Sequence, residues 1–207
     1  MSETKKTGSV APVAVLVLAA GASTRMGRPK QILPFQGSTL LRRVVEQALQ
    51  SSASRVFVVL GAHAAVVAPT LDELPVEIIW NLDWEEGQGA SIRTGVRFLM
   101  DRAPETGAVL FLLGDQPLVM SSSIERLIAV HRRTGAGLVA SEQDGRLGVP
   151  ALFSSRFFGE LARLQGDAGG AHRLLREHED EAVGLILPDA ELDVDTPADY
   201  ERLMAAS

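Results

Sequence analysis

Residues 13–19, V-A-V-L-V-L-A, are apolar at every position, and the run breaks off into A-G-A-S-T-R-M-G, residues 20–27. A strand with one wet face alternates apolar and polar side chains. This run does not, so it is expected to lie centrally in a sheet covered on both sides. The loop that follows then falls in the crevice beyond the carboxyl ends of the strands, where open α/β sheets take ligands.

The rest of the chain keeps the same alternation of short apolar runs and helical periodicity. Strands are expected at Val13–Ala19, Arg55–Leu60, 76–80, Ala108–Leu113, 137–140, 150–153 and 183–187. Between residues 39 and 50, Leu40, Leu41, Val44, Val45, Ala48 and Leu49 recur at three- and four-residue spacing and form one buried helical stripe. Ile124, Leu127, Ile128 and His131 repeat the pattern, and a further helical stretch covers 91–100. Pro12, Pro69, Pro75, Pro104 and Pro188 fall at element margins, where a missing amide proton does least harm. The expected fold is α/β: a single-domain, three-layer, Rossmann-like sandwich over residues 1–207, with a mostly parallel sheet and helices on both faces.

Composition narrows the chemistry. Cysteine is absent, which removes disulfides, thiolate metal sites and a cysteine nucleophile; any metal must be held by oxygen or imidazole. A formal charge of −6 argues against sequence-independent nucleic-acid binding, which needs a basic footprint. Residues 1–9 are polar and read as a flexible tail, and the apolar run after them is too short for a membrane span or signal peptide. The expected location is the cytoplasm, with neither nucleic acid nor membrane as partner.

Gly21 and Gly27 bracket A-S-T-R-M, and Lys30 follows three residues later. Glycine lets backbone amides approach phosphate oxygens, Arg25 can make forked bonds and Lys30 acts as a point charge. The spacing fits neither a Walker A loop nor the dinucleotide fingerprint G-x-G-x-x-G. Far along the chain, G-D-Q-P, residues 114–117, directly follows another apolar run. Asp115 there reaches the same sheet edge and is expected to hold a magnesium ion, which takes one or two carboxylates and completes its shell with phosphate oxygens and water.

The string L-A-A-G-A-S-T-R-M-G-R-P-K, residues 18–30, closely resembles the signature of the molybdenum-cofactor nucleotidyltransferases, in particular the cytidylyltransferase branch. The resemblance continues through W-x-x-G-Q-G-A-S at 84–91, G-D-Q-P, G-x-P-A-L-F at 148–153, G-D-A-G at 166–169 and D-V-D-T-P-x-D-Y at 193–200. It implies the nucleotide-diphospho-sugar transferase type of sandwich. It implies transfer of CMP from CTP to molybdopterin cofactor with Mg2+, and it leaves room for a molybdenum hydroxylase apoenzyme as partner. Arg25, Lys30 and Asp115 take the catalytic positions. The nucleotide contacts it implies are Leu18, Ala19, Ala20, Gly21 and Ser23 in the loop, and Asn81, Gly89 and Ser91 beyond it. Asp195 becomes the second metal ligand beside Asp115. Thr196, Pro197 and Asp199 also read as a helix start, with Thr196 as N-cap. Ala20 points to CTP, because the GMP-transferring branch typically carries glycine there.

The acceptor side is expected to involve Gln116, Pro150, Asp167 and His172. Here the chain departs from the family: Val149 stands where a histidine is usual, and Gly170-Ala171 where A-R is usual. Two other readings stay open, transfer to another phosphate such as a sugar phosphate, and a cofactor-binding accessory protein without catalysis.

Overall fold

The computed structural model describes residues 11–166 and 170–205; the tail at 1–9 and Asp167 lie outside the described residues. In chain order come β1 (Val13–Ala19), β2 (Pro34–Phe35), β3 (Ser38–Thr39), α1 (Leu40–Leu49), β4 (Arg55–Leu60), α2 (Ala64–Val67), β5 (Glu77–Trp80) and α3 (Gln88–Arg102). There follow β6 (Ala108–Leu113), α4 (Ser121–Thr134), β7 (Leu138–Gln143), β8 (Arg146–Ser154), α5 (Phe158–Leu161), α6 (Gly170–Glu177), β9 (Val183–Leu185) and α7 (Pro197–Ala205).

One sheet runs β5-β4-β1-β6-β8-β7-β9. β1 is central as expected, parallel to β4 on one side and β6 on the other. Its side chains divide between two cores. Ala14, Leu16 and Leu18 pack under α3, α5 and α6, while Val13, Val15 and Val17 pack under α1 and α4. Each fully buried Leu or Val contributes about 1.5–3 kcal/mol, so a strand buried on both faces anchors the whole sheet. A smaller cluster of Met26, Leu33, Phe35, Leu40, Val194 and Leu203 clamps the loop after β1 against α7.

The sheet is mostly parallel, but β8 runs antiparallel to both β6 and β7. The strands expected at 137–140 and 150–153 extend towards each other and close residues 141–149 into a hairpin. Asp144 and Gly145 both have positive φ, 50° and 72°, which matches the twist of a two-residue connection. The helix expected from residue 91 begins at Gln88, so Ser91 lies inside α3. α4 receives its cap from outside: the buried Gln47 of α1 accepts the Ser121 N–H at 2.9 Å. Among the described residues, no helix is long and apolar enough to cross a membrane.

Candidate active site

The loop after β1 is braced from beneath by Gln31, a buried residue that sequence reasoning did not single out. Its amide donates to the carbonyls of Ala19 and Gly21, both at 3.0 Å, and its Oε1 accepts the Ser23 hydroxyl at 3.3 Å. Ser23, at φ 55°, also accepts the Lys30 N–H at 3.2 Å. Ser23 therefore works inside the loop. His63 adds a second brace, with Nε2 2.9 Å from the Ala22 carbonyl, so this nitrogen carries the proton.

These bonds aim Lys30 across the sheet edge. Its ammonium donates to Asp115 and, at 2.8 Å, to Asp195, while Arg25 lies 2.8 Å from the other oxygen of Asp195. Four residues from three distant segments thus meet at one point. Burial would lower the Lys30 pKa, but Asp115 and then Asp195 outweigh it and hold the ammonium above its ordinary 10.5. Lys30 stays charged.

Backbone contacts fix both carboxylates. The Gly114 N–H donates to Leu18 O at 3.0 Å, and a Cβ on Gly114 would stand 3.0 Å from the Ala19 and Leu41 side chains. The Asp115 carbonyl accepts the Val194 N–H at 3.0 Å, which draws the C-terminal segment to the site. Thr196 and Asp199 form a reciprocal cap: Asp199 Oδ2 accepts the Thr196 N–H at 2.7 Å and Thr196 Oγ1 accepts the Asp199 N–H at 3.3 Å. The same Asp199 oxygen accepts the Asp195 N–H, and bonding to Thr196 above all depresses its pKa. Helix start and site position are one device.

A cavity of about 450 Å³ opens beside Lys30 and Asp115, lined by Leu18, Ala19, Ala20 and Gly21 on one wall and Trp84 and Ser91 on another. Asn81 and Gly89 do not line it. Asn81 is buried, donating to Ser91 Oγ at 3.0 Å and accepting the Asp83 N–H, so it sets the position of Ser91. Gly89 packs tightly, since a Cβ there would meet the Gly166 carbonyl at 2.4 Å. Gly61, also not singled out, lets Trp84 and Ala20 close in, because its Cβ would lie 2.6 Å from Trp84 Cβ and 2.8 Å from Ala20 O.

A second cavity, about 330 Å³, lies on the other side of Leu113 and is lined by Gln116, Val149 and His172. Pro150 is buried and lies outside that lining. Gln116 Nε2 ties three segments together, donating to Val149 O, Ala190 O and Asp193 Oδ1 at 3.2, 3.3 and 2.8 Å. Desolvation, then the negative charge of Asp115, raises the Asp193 carboxyl above its usual range.

The donor set at the shared point is oxygen from Asp115 and Asp195, with Asp115 Oδ1 buried and, among the described residues, without a hydrogen-bond partner. That combination fits a hard divalent cation whose remaining ligands come from a substrate. Among the described residues, no group of three or more acidic, histidine or cysteine side chains is arranged to hold a metal without such help.

The chain is similar to several known proteins. The MobA-like NTP transferase domain matches residues 15–182. The purine catabolism protein PucB of Bacillus subtilis is 34% identical, covering 91% of this chain and 94% of its own length. The nicotine blue oxidoreductase of Paenarthrobacter nicotinovorans is 33% identical, covering 78% and 80%. Among solved structures, Rv0371c of Mycobacterium tuberculosis superposes with a TM-score of 0.84 at 32% identity, covering 95% of this chain and 99% of that one. Its complex with manganese gives a TM-score of 0.79 at 29% identity, covering 95% and 100%. With a doubly covered sheet, a glycine loop and a Lys-carboxylate cluster at one edge, the chain belongs to the family of MobA-like NTP transferase domains.

Proposed function

We propose that the protein transfers CMP from CTP to the terminal phosphate of molybdenum-bound molybdopterin and releases pyrophosphate. The observation that carries this reading is the meeting of Lys30, Arg25, Asp115 and Asp195 at the mouth of the cavity under the glycine loop. An oxygen of the acceptor phosphate bonds to the α-phosphorus, and the α–β bridging bond breaks with its electrons leaving on pyrophosphate. The attacking group is already an oxyanion, so no protein nucleophile is required. Catalysis then consists of alignment and charge neutralisation. Lys30 and Arg25 take phosphate oxygens, and the loop amides after Ala20 lie along the triphosphate.

Asp115 and Asp195 would hold Mg2+, and a mycobacterial relative solved as a complex with manganese supports a divalent cation as cofactor. Bound there, the ion supplies neutralisation of the charge that builds on the α-phosphate and pyrophosphate. Ala20, 5% exposed in the cavity wall, supports CTP over a larger base. Ser91, positioned by Asn81, is the candidate contact for base or ribose.

A second reading, transfer to a different phosphate, draws on the second cavity. Glu142, Asp144, Glu191 and Asp193 line it with Arg146, a setting that disfavours a strongly anionic acceptor and suits one whose hydroxyl groups donate to carboxylates. The oxidoreductase name of the Paenarthrobacter relative has no counterpart in this loop, whose Gly21 and Gly27 are not spaced as a dinucleotide fingerprint. Pyrophosphate release is measured with Mg2+ and each of CTP, GTP, ATP and UTP, with and without molybdopterin cofactor. Release from CTP only when cofactor is present is the expected result. Release from CTP with a sugar phosphate alone favours the second reading, and no release under any condition refutes both.

A further inference from the structure

Asp115 and Asp195 have four carboxylate oxygens, and three are engaged by this chain's own cations. Lys30 donates to Asp115 Oδ2 and to Asp195 Oδ1, and Arg25 lies against Asp195 Oδ2. Only Asp115 Oδ1 remains, buried and without a partner among the described residues. The Lys30 and Asp115 side chains are each 14% exposed, so the ammonium is held in place and poorly screened by water. A divalent cation using both carboxylates needs the position the ammonium already takes, and it must approach two positive groups to reach it.

We propose, on the basis of the nucleotidyl-transfer reading, that Lys30 is a resident cation that competes with the divalent metal for Asp115 and Asp195. A triphosphate relieves the competition by drawing Lys30 and Arg25 onto its own oxygens, which frees the carboxylates. The ammonium has three donors and the guanidinium a fork, so both find replacement acceptors on phosphate. Metal and triphosphate then strengthen each other by the same factor, as any pair of coupled ligands must. The site favours metal with nucleotide over metal alone. Arg25, at 68% exposure, plays the smaller part.

The test is a titration of Mn2+, followed by electron paramagnetic resonance at pH 8, into wild type, Lys30→Met, Arg25→Gln and Asp115→Asn. Each is run without nucleotide and then with CTP, against a protein-free Mn2+–CTP blank. Without nucleotide, Lys30→Met is expected to bind Mn2+ about tenfold more tightly than wild type, within the usual coupling range of about 5–150-fold. Arg25→Gln tightens binding by less, and Asp115→Asn weakens it. CTP tightens Mn2+ in both proteins because its phosphates ligate the ion, but the gain in wild type exceeds that in Lys30→Met by about tenfold. Unchanged or weaker Mn2+ binding in a folded Lys30→Met overturns the proposal. Should that variant not fold, a wild-type Mn2+ affinity indifferent to CTP overturns it equally. Coupled metal and CTP binding with no pyrophosphate release would instead leave the competition standing and remove the transfer reading.

Discussion

Asp115 can be removed without stranding Lys30, because Asp195 still accepts from the ammonium at 2.8 Å. Asp115→Ala is therefore expected to keep its circular dichroism spectrum while turnover falls by at least about 10²–10³-fold, the usual scale for losing one electrostatic stabiliser. Gln31 behaves differently. Gln31→Leu removes the donor to Ala19 and Gly21, leaving their carbonyls without it, and is expected to cost about 1–3 kcal/mol in urea unfolding and to raise KM for the nucleotide. An unchanged KM in Gln31→Leu would mean that the loop does not need its brace. Lys30, Arg25 and Asp115 stood out in the sequence because they sit in glycine-bearing motifs directly after apolar strands, where open α/β sheets take ligands. Gln31 and His63 were not, since an amide or a ring looks alike in sequence whether it meets solvent or a loop carbonyl. Gly89 stood inside the 84–91 motif and Asn81 just after an expected strand, but only packing shows that Asn81 orients Ser91 and Gly89 admits the Gly166 backbone.

At the scale of elements, the end of α6 is pinned by an ion pair that responds to pH. His178 Nδ1 lies 2.7 Å from Glu181 and Nε2 3.2 Å from Glu160, with the ring edge-on to Phe157 at 4.9 Å. Partial burial lowers the imidazole pKa, but the two glutamates outweigh it and raise it above 6.5. A raised folded pKa gives stability that is complete below 6.5 and is lost as pH rises through the folded value. Wild type should lose melting temperature across that window relative to His178→Gln. A parallel pH dependence in the two proteins would contradict the pairing. The β7–β8 hairpin shows why some elements escaped sequence reasoning: E-Q-D-G-R is polar and reads as loop, although Asp-Gly is itself a hairpin signal. Gly145→Ala, at φ 72° with open space around it, should cost about 1–2 kcal/mol through backbone strain alone, as measured by thermal unfolding.

For the molecule as a whole, the central strand does two jobs. β1 sends its side chains into both cores and delivers its loop to the edge where β6 delivers Asp115, because the two strands are parallel and in register from Val13–Ala108 to Leu18–Leu113. The C-terminal segment closes the site through Val194, bonded to the Asp115 carbonyl and buried beside Met26 and Leu33. This architecture was legible early, since a run apolar at every position has one stable place in an α/β sheet. The second cavity, proposed for the acceptor, was not, because much of its lining comes from the β7–β8 hairpin, which no periodicity marks. The proposed reaction is transfer of the α-phosphoryl group with its nucleoside. Its most direct test is incubation of the protein, Mg2+ and molybdopterin cofactor with CTP labelled either at the α- or at the γ-phosphate. The expected result is α-label in the cofactor product and γ-label in pyrophosphate, both lost in Asp115→Ala. Recovery of intact CTP with cofactor bound, or α-label released only as free CMP, would contradict it.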